Sequence, residues 1–207
     1  MDFRIKVYFE KLSNYKNKLI QVLFFEIFYT LRFRDFYYKI HNNNLMTDAL
    51  PCSYYFLYKI SKFIKKKDIS SIADLGSGTG RVVNFLASST NKHSTGYEID
   101  KELVDYSISK IKNKKAHFVQ GDFNQLSLDW ISSNCYIFNT PLKREQDILS
   151  FIQSISKIKK KFFLIVINID SHLNEVTINK FFKDFILSEF IKAGKTKTLR
   201  IYENNFF

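Results

Sequence analysis

Cysteine, proline and histidine are scarce in this chain of 207 residues, which holds two cysteines, two prolines and four histidines. Cys52 and Cys135 lack the C-x-x-C spacing of a zinc site, and two thiols cannot form the disulfide framework of a small secreted domain. The histidines are scattered without a ligand-like interval. The sequence therefore predicts neither a metal site nor a disulfide framework.

A long apolar run and a cleavable N-terminal signal are also missing, so we expect a cytoplasmic location. The longest apolar stretch, 19–31, is shorter than the roughly 20 residues that span a bilayer. Basic side chains flank it, as in a helix that lies on a membrane surface: Lys16, Lys18, Arg32 and Arg34. Peripheral membrane contact through 19–31 is one interpretation. A helix packed over the core or against a second subunit is the favoured one.

The composition fits one globular domain with a short extension, because 45% of the residues are hydrophobic. We place an N-terminal helical extension at 1–45 and the main domain at 46–207. The net charge of +12 favours anionic partners, such as nucleic acid, an acidic protein surface or an anionic membrane. An AT-rich genome would produce the same abundance of lysine, so charge does not choose among these partners.

Apolar runs and helical segments alternate along the main domain. A helix with Pro51 in its first turn is followed by strands at 69–75, 94–99, 116–120, 135–139 and 162–169, with helices at 80–89, 103–111 and 145–158. The last two strands, 185–191 and 196–202, flank a short turn and predict an antiparallel hairpin. Upstream, 3–40 reads as one or two helices and 41–48 as a loop. The pattern predicts an α/β fold with a doubly wound, mostly parallel seven-stranded sheet.

Five of the six glycines mark one edge of this sheet. Gly76, Gly78 and Gly80 follow the first strand, and Gly96 and Gly121 lie near the ends of the second and third. Glycine is needed where backbone turns sharply or approaches a ligand closely. Since open α/β sheets bind ligands beyond the carboxyl ends of their strands, the glycines predict a ligand there.

The glycine spacing restricts the ligand. A dinucleotide site requires G-x-G-x-x-G, but Arg81 occupies the position of the third glycine, and no G-K-[ST] of a P-loop follows. The segment from Asp74 to Gly80 instead resembles motif I of the class I S-adenosylmethionine-dependent methyltransferases.

That resemblance implies S-adenosylmethionine as cofactor. Asp74 would reach the amino group of the cofactor, Glu98 both ribose hydroxyls, and Asp122 the adenine amino group, with Phe123 against the adenine. The full predicted cofactor set is Asp74, Gly76, Ser77, Gly78, Gly80, Glu98, Asp122 and Phe123. Asn139 and Pro141 would line the methyl site, and Tyr54 or Tyr55 would close over it. No general base is assigned.

The sequence indicates the methyl acceptor less directly than it indicates the cofactor. The strings TDALPCSYY, DLGSGTGRVV, G-Y-E and I-F-N-T-P together resemble the small protein-lysine methyltransferases related to the ATP synthase c-subunit enzyme. This resemblance implies a nitrogen acceptor, here taken to be a protein lysine.

A nucleic-acid acceptor is the first alternative. Asn139-Thr140-Pro141-Leu142 is similar to the N-P-P-Y box of methyltransferases that act on base amino groups, although Thr140 and Leu142 depart from it. Leu142 replaces the aromatic residue that would stack the target base. A small-molecule acceptor and a non-catalytic cofactor-binding module are the remaining alternatives.

Overall fold

The computed structural model describes residues 19–34, 51–123, 132–194 and 197–204. Within these ranges the α-helices are α1 (Leu19–Phe33), α2 (Tyr54–Lys66), α3 (Arg81–Thr90), α4 (Lys101–Lys110), α5 (Glu145–Ser156) and α6 (Glu175–Phe181), and a short 3-10 helix spans Ile169–Ser171. The strands are β1 (Ser71–Leu75), β2 (His93–Glu98), β3 (Ala116–Gln120), β4 (Cys135–Phe138), β5 (Phe163–Ile167), β6 (Phe185–Lys192) and β7 (Thr198–Asn204). The predicted helix at 3–18 and 35–40 and the predicted loop at 41–48 lie outside the described residues.

The strands form one seven-stranded sheet in the order β3-β2-β1-β4-β5-β7-β6. The first five in this order are parallel, and β7 pairs antiparallel with both β5 and β6. The predicted doubly wound sheet with a C-terminal antiparallel hairpin is therefore confirmed. The carboxyl ends of β1, β2, β3, β4 and β5 meet at one edge of the sheet, where the glycines predicted a ligand.

Alternate residues of each strand pack into two hydrophobic layers, because successive side chains point to opposite faces of a sheet. Ile72 and Ile137 pack under α1, α2 and α3 on one face. Ala73 and Tyr136 pack under α5 and α6 on the other. Every residue of β4 and β5 is buried, as expected for central strands covered on both faces.

Helix α1 packs on the core along one side only. Val22 and Glu26 are buried, and Phe25 and Tyr29 pack against the aromatic side chains of α2. Its opposite side carries exposed apolar residues: Ile20, Phe24, Ile27, Phe28 and Leu31. The favoured interpretation of a helix packed over the core is thus confirmed, whereas contact with a membrane or a second subunit stays a prediction. No helix in the described part of the chain is long and apolar enough to cross a membrane.

Most predicted boundaries differ from the structure by a few residues, and two of these differences bear on the site. Helix α2 begins at Tyr54 and not at Pro51, because Ser53 is its N-cap and its hydroxyl accepts a hydrogen bond from the Tyr55 N–H at 3.2 Å. Strand β5 ends at Ile167 and not at residue 169, because Asn168 takes a left-handed conformation with φ of 61°. The predicted division at residue 45 falls outside the described residues.

Candidate functional site

The loop after β1 is shaped by its glycines. Gly76, Gly78 and Gly80 all have positive φ, at 80°, 54° and 77°, where a side chain would be strained. Gly96 in β2 is required for space, since a Cβ there would lie 2.6 Å from the Ser77 Cβ. The missing side chain lets the loop rest directly on the second strand.

Asp74 lies at the end of β1 beneath this loop and is only 1% exposed. Neither of its carboxyl oxygens has a hydrogen-bond partner among the described residues. Burial, assisted by the negative charge of Glu98, raises the pKa of Asp74 to about 8. A buried carboxyl without a donor suits a ligand that brings its own cation, and the amino group of S-adenosylmethionine is such a cation.

Glu98 at the end of β2 links the loop to the next helix. One carboxylate oxygen accepts from the Gly78 N–H at 2.8 Å and the other from the Asp100 N–H at 3.1 Å. These bonds fix the carboxylate in place, and each oxygen keeps a lone pair for a further donor. Glu98 is thus held where a pair of ribose hydroxyls could bind.

Asp122 and Phe123 follow β3 at the same edge of the sheet. The Asp122 side chain is partly exposed. Phe123 is 8% exposed and packs edge-on against Phe151 and Phe138, with ring centroids 5.5 Å and 6.2 Å apart. Its ring belongs to the core, and contact with an adenine stays a prediction.

The segment after β4 lies directly on the glycine loop. A Cβ at Gly76 would lie 2.5 Å from the Pro141 Cβ, so only glycine permits this approach. Thr140 is buried with φ of 43°, and its hydroxyl donates to the Ile167 carbonyl at 2.6 Å. The Asn139 Oδ1 accepts from the Asn168 Nδ2 at 3.4 Å. The structure thus brings the predicted methyl-site segment against the predicted cofactor loop.

Tyr54 and Tyr55 are both buried in the hydrophobic cluster under α1, α2 and α3. The Tyr54 ring packs tilted against Phe85 with centroids 5.6 Å apart, and Tyr55 contacts Phe25 and Phe56. Their positions support a packing role. Closure of either ring over the methyl site stays a prediction.

A buried ion pair behind the loop was not predicted. The Arg81 Nη1 lies 3.2 Å from the Glu26 Oε2 and donates to the Cys52 carbonyl at 3.2 Å, and both charged side chains are 4% exposed. The Arg81 guanidinium also lies 4.5 Å from the centre of the Tyr54 ring. A lone carboxylate inside the apolar stretch 19–31 was the one sequence signal of this contact.

Asn168 was also missed, because the predicted strand ran through it. The signal was a single asparagine that interrupts an apolar run, a residue type that tolerates left-handed backbone. Neither cysteine forms a disulfide, and burial raises the pKa of both thiols. No cluster in the described part of the chain could hold a metal ion.

This sheet order, with a glycine loop next to an unpaired carboxyl near the end of β1, agrees with the fold expected from the resemblance of the sequence to class I methyltransferases. Comparison with protein families agrees, since residues 72–161 match the family described as a methyltransferase domain. Residues 72–161 of the chain therefore carry a methyltransferase domain.

Curated relatives include two proteins named ribosomal RNA small subunit methyltransferase A. The one from Mycoplasma mobile is 32% identical over 108 residues, which is 52% of this chain and 42% of the relative. The one from Mesomycoplasma hyopneumoniae is 33% identical over 82 residues, 39% of this chain and 31% of the relative. The chain therefore matches less than half the length of either relative.

Solved structures share the fold at low sequence identity. An RNA methyltransferase from Salinibacter ruber, in complex with S-adenosyl-L-homocysteine, superposes with a TM-score of 0.56 at 15% identity. The superposition covers 75% of this chain and 94% of that protein. This likeness confirms the predicted fold, and the methyltransferase domain at 72–161 agrees with the predicted class.

Proposed function

We propose that this protein transfers the methyl group of S-adenosylmethionine to an exocyclic amino nitrogen of an RNA base. The observation that carries the proposal is the contact between Pro141 and Gly76, which sets the segment that contains Asn139 against the cofactor loop. A carboxamide oxygen at that place accepts a hydrogen bond from an amino group. Asn139 would then orient the acceptor nitrogen next to the methyl donor.

When bound, S-adenosylmethionine supplies an electrophilic methyl group on a sulfonium. Asp74 would pair with the amino group of the cofactor, and Glu98 would hold its ribose hydroxyls. Asn139 would turn the acceptor so that the nitrogen lone pair faces the methyl carbon. The protein thus contributes mainly position, and the proton that the nitrogen loses passes to water.

One further observation supports RNA as the acceptor. The two curated relatives are named as ribosomal RNA methyltransferases, although the chain matches only part of each. The net charge of +12 suits a polyanion but does not distinguish RNA from an acidic protein. One feature departs from base methyltransferases, because Leu142 is buried where they carry a stacking aromatic residue. Lysine methylation, implied by the sequence resemblance, is the competing outcome of the test.

The test supplies radiolabelled cofactor to the purified protein together with RNA or protein from cells that express it. We expect label in RNA, released as an N-methylated nucleoside on digestion. Label confined to protein lysines would overturn the RNA proposal in favour of the lysine acceptor, and label confined to small molecules would overturn both.

Two variants locate the reaction at this site. Asn139→Ala should lower transfer at least about tenfold, because it removes the carboxamide that orients the acceptor, while S-adenosylhomocysteine affinity changes less than about twofold. Glu98→Ala is the control that should lose cofactor binding itself, measured by calorimetry. Unchanged transfer by Asn139→Ala would place the acceptor elsewhere.

A further inference from the structure

Asn168 stands beside Asn139 at the carboxyl edge of the sheet. The two residues follow the adjacent parallel strands β4 and β5, whose register pairs Phe138 with Val166. The Asn168 Nδ2 donates to the Asn139 Oδ1 at 3.4 Å. The two carboxamides therefore form one unit next to the segment that contacts the cofactor loop.

The backbone around this pair is held in an uncommon conformation. Asn168 and Thr140 have φ of 61° and 43°. The Thr140 hydroxyl donates to the Ile167 carbonyl at 2.6 Å, and the Asn168 N–H donates to the Thr198 carbonyl at 2.9 Å. Strained residues persist where the surrounding structure fixes them, and they cluster at functional sites.

The Asn168 Oδ1 is the atom of this pair whose hydrogen bonding the described residues do not account for. It is buried and has no hydrogen-bond partner among the described residues. A buried carbonyl oxygen without a donor costs free energy unless a ligand supplies the donor. The Asn139 Oδ1 retains one lone pair beyond its bond to Asn168. Two adjacent amide oxygens are thus each able to accept one N–H.

We propose that Asn168 is a second acceptor-binding residue, and that it holds with Asn139 the two N–H groups of a primary amine. This inference rests on the proposed function and narrows its substrate class to an unmethylated amino group. Hydrogen bonds from both N–H groups to two oxygens would fix the orientation of the amino group, so that its nitrogen lone pair can face the methyl group. A hydroxyl acceptor has one hydrogen and leaves one of the oxygens unpaired.

The test replaces Asn168 by glycine, which removes the carboxamide and tolerates the positive φ. Asn91→Gly is the matched control, because Asn91 has φ of 59° and caps the end of α3. We expect Asn168→Gly to lower kcat/KM for the acceptor at least about tenfold and to leave S-adenosylhomocysteine affinity within about twofold. Asn91→Gly should keep both values within about twofold of the unmodified protein.

Two measurements separate a binding role from a structural one. Asn168→Asp keeps the left-handed backbone and an acceptor oxygen but loses the Nδ2 donor to Asn139, so it should lower acceptor kcat/KM less than Asn168→Gly does, whereas a purely structural role would make this variant the more damaging one. The double variant Asn139→Ala, Asn168→Gly should lose less than the product of the single losses, because residues that act as one unit are not additive. Unimpaired acceptor kinetics in both single Asn168 variants would overturn the proposal.

A failure of the Asn168 proposal can be told apart from a failure of the RNA acceptor proposal. If label appears in protein lysines instead of RNA, the RNA acceptor is wrong, and the same variants are measured on that amine acceptor. A tenfold loss there would uphold the role of Asn168. Label recovered on an oxygen atom would overturn both proposals.

Discussion

At the scale of single residues, Asp74 has the most unusual environment of the site. Its carboxyl is buried without a hydrogen-bond donor among the described residues, and its pKa is raised to about 8 by burial and then by Glu98. In the free protein at neutral pH this carboxyl is mostly protonated. An ammonium group of the ligand favours the ionised form, so ligand binding should release a proton.

We therefore predict that S-adenosylhomocysteine binds more tightly as pH rises toward 8, by up to about tenfold per pH unit. Calorimetry at pH 6.5 in buffers of different ionisation enthalpy should show close to one proton released per ligand. Asp74→Asn should bind more weakly, without proton release and without this pH dependence. Equal proton release by the variant would assign the titration to another group.

The same pKa fixes how the stability of the free protein depends on pH. The carboxyl holds its proton up to about pH 8 when folded but ionises near its ordinary value of 3.8 when unfolded. Because the folded state binds more protons between these values, the free energy of unfolding falls as pH rises from about 4 to 8. Asp74→Asn should remove this part of the decline, as measured by urea unfolding.

At the scale of elements, the N-terminal helix α1 is joined to the cofactor region by the Glu26–Arg81 ion pair. Arg81 is the first residue of α3, directly after the glycine loop, and Glu26 also accepts from the Tyr54 N–H at the start of α2. One carboxylate thus ties three helices together. A buried ion pair is costly to break, because the remaining charge stays in a poorly solvated place.

We predict that Arg81→Met lowers the free energy of unfolding by about 3–5 kcal/mol, because Glu26 stays buried with one cation fewer. The double variant Glu26→Met, Arg81→Met should recover part of that loss. Lys101→Met is the matched control, since the Lys101–Asp105 pair is exposed and should contribute less than about 1 kcal/mol. Equal losses from Arg81→Met and Lys101→Met would show that the buried pair is unimportant.

The helices and strands were largely predictable from the sequence, because hydrophobic periodicity and the placement of glycines are local signals. Strand β3 has the bounds the sequence predicted, and the others differ by a few residues at their ends. The missed features depend on distant partners. Nothing near Arg81 in sequence indicates that it pairs with Glu26, and the end of β5 is set by the conformation of Asn168. The glycine loop could be assigned from spacing, whereas the aromatic core around Tyr54 required the packing.

At the scale of the whole molecule, the net charge of +12 bears on RNA binding through the lysines that lie near the site. Lys143 is exposed and follows β4, at the sheet edge that carries the cofactor loop. Lys66 is also exposed but ends α2, just before the amino end of β1. The two lysines therefore stand at opposite edges of the sheet.

If RNA lies across the carboxyl edge, its affinity should fall at least about tenfold between 50 and 200 mM salt, because bound phosphates release counterions. Lys143→Gln should weaken RNA binding and make the salt slope shallower by about one unit, whereas Lys66→Gln should change neither. Fluorescence anisotropy with a labelled RNA measures both. S-adenosylhomocysteine affinity serves as the reference and should stay within about twofold across the salt range. An RNA affinity that is indifferent to salt, or that responds equally to both lysine substitutions, would contradict binding at the carboxyl edge and favour a different acceptor.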